Sequence, residues 1–89
     1  MNISPNPSHG GRVAFDIALE HGGPTHLGVY DLAGRQVKEI LNQNLVSGGH
    51  VTFDWDGRDA QGNKLRAGVY FVNLNQGGIA EKKTIVLAP

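Results

Sequence analysis

Arg12-Val13-Ala14-Phe15-Asp16-Ile17-Ala18-Leu19 decides the fold. Val13, Phe15, Ile17 and Leu19 fall on one side of an extended chain, and Arg12, Ala14, Asp16 and Ala18 on the other. That two-residue period is the mark of a strand with one face in a core and one in water. His21-Gly22-Gly23-Pro24 breaks it. A second strand, Thr25 to Tyr30, brings Leu27 and Val29 together, and Asp31-Leu32-Ala33-Gly34 reads as a hairpin turn. Arg35 to about Leu41 is a third strand whose apolar residues Val37, Ile40 and Leu41 fall out of alternation, which predicts a bulge or a strand end near Glu39.

Further along, Asn42 to Gly49 reads as a polar connection pinned by Leu45 and Val46. His50 to Trp55 alternates again, with Val51, Phe53 and Trp55 predicted inward and His50 outward. Asp56 to Asn63 is dense in turn formers. In Val69 to Asn75, Tyr70, Val72 and Leu74 share one face, while Val69 and Phe71 share the other. Ala80 to Leu87 closes the chain after Gln76-Gly77-Gly78. No stretch carries the 3.6-residue apolar period of an amphipathic helix. About six or seven short antiparallel strands with frequent turn signals predict an all-β, immunoglobulin-like β-sandwich.

Composition agrees. The 89 residues fit one domain, 1–89, and 13 of them are glycine, well above the usual share of about 7%. The glycines punctuate apolar segments without a repeat, as turns between strands do. There is no cysteine, hence no disulfide framework and no thiolate metal site. Eight basic and eight acidic side chains cancel, with none of the basic excess expected of a nucleic-acid binder. No apolar run approaches the roughly 20 residues of a membrane helix. The first residues, Met1-Asn2-Ile3-Ser4-Pro5, lack the charged and apolar regions of a signal peptide.

Chemistry has few places to reside. Asp54-Trp55-Asp56-Gly57-Arg58-Asp59 offers three carboxylates, but not at the EF-hand spacing, so turn formation is preferred to calcium binding. His9, His21, His26 and His50 contain no pair at zinc-motif spacing. Ser4, Ser8 and Ser47 are the only serines, and none sits in a nucleophile elbow. Trp55 and Tyr70 could form a sugar-binding platform, yet both alternate with core residues, so packing explains them better. Val69 and Phe71 would form an exposed apolar patch, a candidate docking surface, if their strand is central with one face open. The expectation is a chain without catalytic, metal or cofactor residues.

Four stretches, in order, resemble a known family: Ser4-Pro5-Asn6-Pro7; Val29 to Val37 (Val-Tyr-Asp-Leu-Ala-Gly-Arg-Gln-Val); Trp55 to Asn63 leading to Ala67-Gly68-Val69-Tyr70-Phe71; and Glu81 to Leu87. Together they look like type A C-terminal sorting domains of proteins exported by the bacterial type IX secretion system. The Trp-Asp-Gly-Arg-Asp stretch is also similar to the immunoglobulin-like domain of the flagellar hook-capping protein. The sorting resemblance implies a C-terminal module of a longer secreted protein, read by outer-membrane export machinery and bound for the cell surface or medium through the periplasm. Carried over by motif, the partner-recognition positions are Pro5, Asn6, Pro7, Asp31, Gly34, Arg35, Val37, Gly68, Tyr70 and Lys83. The alternative is a structural or assembly module, or an accessory domain of an extracellular enzyme. In each case the implied partner is a protein, either export machinery or a neighbouring surface protein, and not a nucleic acid or small-molecule substrate. The chain ends Ala88-Pro89, beyond the closing strand in which such sorting domains more often stop.

Overall fold

A computed structural model describes residues 1–88, the side chain of His9 excepted. It contains seven strands: β1 (Asn2–His9), β2 (Arg12–Ala18), β3 (Gly23–Tyr30), β4 (Gln36–Leu45), β5 (His50–Trp55), β6 (Gly68–Gln76) and β7 (Ile79–Leu87). They form a three-stranded sheet, β1-β2-β5, packed on a four-stranded sheet, β4-β3-β6-β7, with every pairing antiparallel. The immunoglobulin-like β-sandwich expected from alternation is the architecture found.

The inward residues of both sheets make one core. Val13, Phe15 and Ile17 of β2 and Trp55 of β5 meet Leu27 and Val29 of β3, Tyr70, Val72 and Leu74 of β6, and Ile85 and Leu87 of β7. The Phe15 and Trp55 rings stack with centroids 6.3 Å apart. The buried indole still needs a hydrogen-bond acceptor, and Trp55 Nε1 donates to the Arg58 carbonyl at 2.9 Å. A second buried polar group joins the layers: Gln76 of β6 donates to the Ala18 carbonyl at 3.4 Å and accepts from the His21 N–H at 3.1 Å.

Three boundaries differ from the sequence expectation by more than one residue. Asn2–His9 is a strand, although its two prolines and lack of alternation hid it. It pairs with β2 only at its ends, through Asn2, Ile3, Ser4 and His9. Between them its side chains reach β7 instead: Asn6 donates to the Thr84 carbonyl (3.3 Å) and accepts from the Val86 N–H (3.1 Å), and Ser8 Oγ accepts from the Ala88 N–H (2.8 Å). Next, β4 runs on through Asn42 to Leu45, where a loop was expected. It is an edge strand, so polar residues on it stay in water and no apolar period is imposed. The irregularity expected near Glu39 is two register shifts: Leu27 faces Leu41 while Gly28 faces Glu39, and Val29 faces Lys38 while Tyr30 faces Gln36, so Ile40 and Val37 are the extra residues. Last, β3 begins at Gly23, two residues earlier than expected.

Val51 and Phe53 point inward as read, but they are only half-buried. Their strand is the rim of the three-stranded sheet, where Lys38, Glu39 and Ile40 of β4 share an open groove with its Asp54 and Trp55. Core energetics should follow this difference. Trp55→Ala should cost about 3–5 kcal/mol in urea unfolding, and Phe53→Ala roughly half as much. Equal losses would mean that β5 is covered along its whole length.

Candidate partner-docking surface

Asp31 organises the β3–β4 hairpin. One carboxylate oxygen accepts the N–H of Ala33 (3.0 Å) and of Arg35 (2.9 Å), and the other accepts Arg35 Nε (3.2 Å). Backbone bonds from the Asp31 N–H to the Arg35 carbonyl and from the Gly34 N–H to the Asp31 carbonyl complete the loop. Gly34 sits at φ +85°, a left-handed conformation that side chains disfavour. The Arg35 backbone N–H holds the Asp31 carboxyl below the usual aspartate value, helped by the Arg35 charge and the Ala33 N–H, against a smaller opposing effect of desolvation.

The same device recurs in the long loop after β5. Asp59 accepts the N–H of Gln61 (3.0 Å) and Asn63 (2.9 Å), its own N–H reaches the Asn63 carbonyl, and Gly62 also lies at φ +85°. Asp31-Leu32-Ala33-Gly34-Arg35 and Asp59-Ala60-Gln61-Gly62-Asn63 are two copies of one D-x-x-G-x turn. That spacing is visible in the sequence and is the signal that would have paired them. Asp56 serves similarly, accepting the Arg58 N–H at 3.1 Å. Two of the three carboxylates in the Asp54–Asp59 stretch are thus engaged in turns, and no group of three His, Cys, Asp or Glu residues converges as metal ligands among the described residues.

The ten motif positions fall into two groups. Asp31, Gly34, Arg35 and Val37 lie on the hairpin, where the Val37 carbonyl also accepts the Ala60 N–H from the long loop. Pro5, Asn6, Pro7 and Lys83 lie along the β1–β7 seam, with Gly68 and Tyr70 on the neighbouring β6, opposite Leu87 and Ile85. Most have structural work. Asn6 ties β1 to β7; Gly68 opens β6 at φ +150°; Tyr70 is buried and donates to the Arg66 carbonyl at 2.8 Å. Arg35 and Lys83 differ. The Arg35 side chain is 82% exposed despite its ion pair with Asp31, and Lys83 approaches only Glu81, at 4.0 Å. Trp55 and Tyr70 are core residues, so neither offers a sugar platform.

The outer face of the four-stranded sheet is open, and the strand registers lay it out in rows. Asn42, His26, Asn75 and Ala80 form one row; Glu39, Gly28, Asn73 and Lys82 the next; Gln36, Tyr30, Phe71 and Thr84 the third; Val69 and Val86 the last. The first rows are polar, with His26 paired to Glu39 at 3.2 Å beside an open groove of about 560 Å³. Gly28 leaves room there, because a Cβ would meet the side chains of Gln36, His26 and Tyr30. The last row is apolar, and Phe71 and Tyr30 of the third row continue it. Val69 is 41% and Val86 38% exposed, Phe71 and Tyr30 are half-exposed beside them, and Leu32 on the adjoining hairpin is 67% exposed. The patch expected from Val69 and Phe71 is therefore present, larger than the two residues that signalled it.

Residues 2–78 match the family described as the FlgD Ig-like domain. The chain belongs to that family. None of the curated proteins matches it in sequence. Among solved structures it is similar to FlgD from Xanthomonas campestris, described in connection with hook capping essential for flagellar assembly, with 28% identity and a TM-score of 0.64. That likeness covers 91% of this chain and 59% of FlgD, so the chain spans just over half of that relative's length. Two proteins of Porphyromonas gingivalis share the fold at 22% identity. PorZ, an essential surface component of the type IX secretion system, has a TM-score of 0.66 over 99% of this chain and 11% of its own. Dimeric latent PorU has a TM-score of 0.71 over 98% of this chain and 9% of its own.

Loss of the Asp31 carboxylate should destabilise the FlgD Ig-like chain in a pH-dependent way. A carboxyl held low in the folded state contributes its stability above the unfolded value of about 3.9, and loses it as pH falls through the folded value. Asp31→Ala should therefore melt below the parent at pH 7, with the gap closing as the pH is taken below about 4. Thermal unfolding of both proteins across that range is the check; a gap constant with pH would leave the carboxylate no part in the turn.

Proposed function

We propose that this domain is a non-catalytic assembly module, joining its parent protein to a neighbouring extracytoplasmic protein through the outer face of the four-stranded sheet. The observation that carries this reading is the apolar patch of Val69, Phe71, Val86 and Tyr30, set on a central strand and its neighbours, with Leu32 exposed on the adjoining hairpin. Exposed apolar side chains gathered on one face, with a polar margin, are typical of protein–protein contact. Membership of the hook-cap domain family supports it, since the FlgD relative is described in the context of assembly. No catalytic role is proposed: in the polar groove beside the patch the Thr25 hydroxyl donates to the Gly23 carbonyl, the Tyr30 hydroxyl to Gln36, and His26 pairs with Glu39.

A second reading, the export address, draws on the sorting-domain resemblance and on Arg35 and Lys83, which expose charge without being needed by the core. It would place the parent protein at the cell surface or in the medium. The two readings separate experimentally. Val69→Lys with Val86→Lys, both surface changes expected to cost little stability, should release the full-length parent from its high-mass complex while circular dichroism stays unchanged. A complex of unaltered size would remove the patch from consideration. In parallel, the domain fused to a periplasm-directed reporter in a type IX-competent host tests the address. Assembly alone predicts a reporter that stays in the periplasm; an address predicts export that Arg35→Ala and Lys83→Ala reduce without unfolding the domain.

A further inference from the structure

The sandwich has four strand edges, and three are blunted. β1 carries Pro5 and Pro7, which lack N–H donors. The outer edge of β7 is occupied by the side chains of Asn6 and Ser8. β4 carries two bulges, at Val37 and Ile40, and the charged residues Lys38 and Glu39, and its Val37 carbonyl is taken by Ala60. β5 has none of these devices. Its six residues, His50-Val51-Thr52-Phe53-Asp54-Trp55, pair with β2 without a register shift and contain no proline, glycine or lysine. Such an edge is a template for another strand.

Which backbone groups it offers follows from the ladder. The Leu19 N–H donates to the Gly49 carbonyl at 2.9 Å, and the Leu19 carbonyl accepts the Gly48 N–H at 2.6 Å, so Leu19 directs both groups toward the β5 side. With a period of two, Ile17, Phe15 and Val13 do the same, and their partners Val51, Phe53 and Trp55 point back at them. His50, Thr52 and Asp54 are left with N–H and C=O directed away from β2. Among the described residues no loop, turn or side-chain bond reaches them.

We infer that β5 pairs with β5 of a second copy of this chain, antiparallel about a two-fold axis at Thr52. That register uses all three outward-directed residues, and every side-chain pairing it creates is favourable. His50 faces Asp54 of the second copy, a hydrogen-bonded pair of complementary character, and the symmetry makes it twice. Thr52 faces Thr52. Val51 faces Phe53, a β-branched residue against an aromatic, on the inner side where both are half-exposed in the single chain. Each is among the cross-strand pairs that stabilise antiparallel sheets. The stretch is thus self-complementary about its centre, as an isologous interface requires. The two three-stranded sheets would become one continuous six-stranded sheet. This association uses the sheet opposite the proposed docking patch, so the two stand or fall separately.

A single cysteine tests the register, because the chain has none of its own. At the two-fold axis, hydrogen-bonded partners have Cα atoms about 5.5 Å apart, within the span of a disulfide. Under mild oxidation, Thr52→Cys should become a covalent dimer at least about tenfold faster than Thr84→Cys, placed on the outer face of the other sheet. Sedimentation equilibrium of the unmodified 89-residue chain should show a concentration-dependent dimer. Asp54→Lys should weaken it about tenfold, and exchanging the pair, His50→Asp with Asp54→His, should restore it. A strictly monomeric chain, equal cross-linking at the two cysteines, or an Asp54→Lys variant that dimerises normally would each overturn the inference. If Thr84→Cys cross-links faster, the patch on the four-stranded sheet is the self-association surface instead.

Discussion

The Trp55 indole is the point at which core, loop and second sheet meet. Its ring lies against Phe15 at the centre of the three-stranded sheet, and its N–H cannot stay unpaired in so apolar a place. The acceptor is a loop carbonyl, that of Arg58, which obliges the chain to fold back as soon as β5 ends. The Asp59 turn follows from that reversal, and the Ala60 N–H then reaches Val37 on β4 of the other sheet. Arg58 and Lys64 form an isolated bridge, and the Leu65 N–H reaches the Gly57 carbonyl, bringing Leu65 back against the core. One buried donor thus fixes the course of a loop that would otherwise be a long polar excursion. Through it, the two sheets are joined at the end where the hairpin turn also lies.

The flanks of the sandwich are closed unequally. On one side Asn6 supplies both an amide donor and an amide acceptor to β7, in place of the backbone groups that its neighbours Pro5 and Pro7 do not provide in full. Side-chain amides can replace a ladder where prolines interrupt one, because they carry the same pair of groups. On the other side β4 and β5 stand at the rims of different sheets without a comparable tie, and Val51 and Phe53 remain half in water. A small domain has little surplus stability, so covering two such side chains is a real gain.

Most of the fold was legible because alternation is imposed by burial, and it was clear wherever a strand has one buried face. β2, β3 and β6 are interior strands of their sheets, and their inward residues could be named from the sequence. Legibility failed at two of the four edges, β1 and β4. β1 exchanges backbone pairing for side-chain bonds to β7, and no period records that. In the second half of β4, Asn42, Gln43 and Asn44 are exposed, so only pairing to β3 makes them a strand. The exposed apolar patch was half legible: Val69 and Phe71 lie on one strand, but Val86 joins them only through the β6–β7 register.

Most of the motif residues behind the family resemblance are residues that the fold itself uses. Asp31 and Gly34 make a turn, Asp59 and Gly62 make its copy, Asn6 binds β7, and Tyr70 anchors the start of β6 to the Arg66 carbonyl. A chain that keeps these groups keeps the sandwich, whatever its partner. In this chain those groups form turns and closures of the sandwich. What those groups do not determine is the side chains on the two outer faces, the edge of β5, and the exposed charges of Arg35 and Lys83. Arg35 stands at the boundary between the two classes. Its backbone N–H completes the Asp31 turn, as almost any residue's would, while its guanidinium, mostly in solvent, contributes an ion pair of small worth. The backbone of that position belongs to the fold, while its side chain contributes little to it.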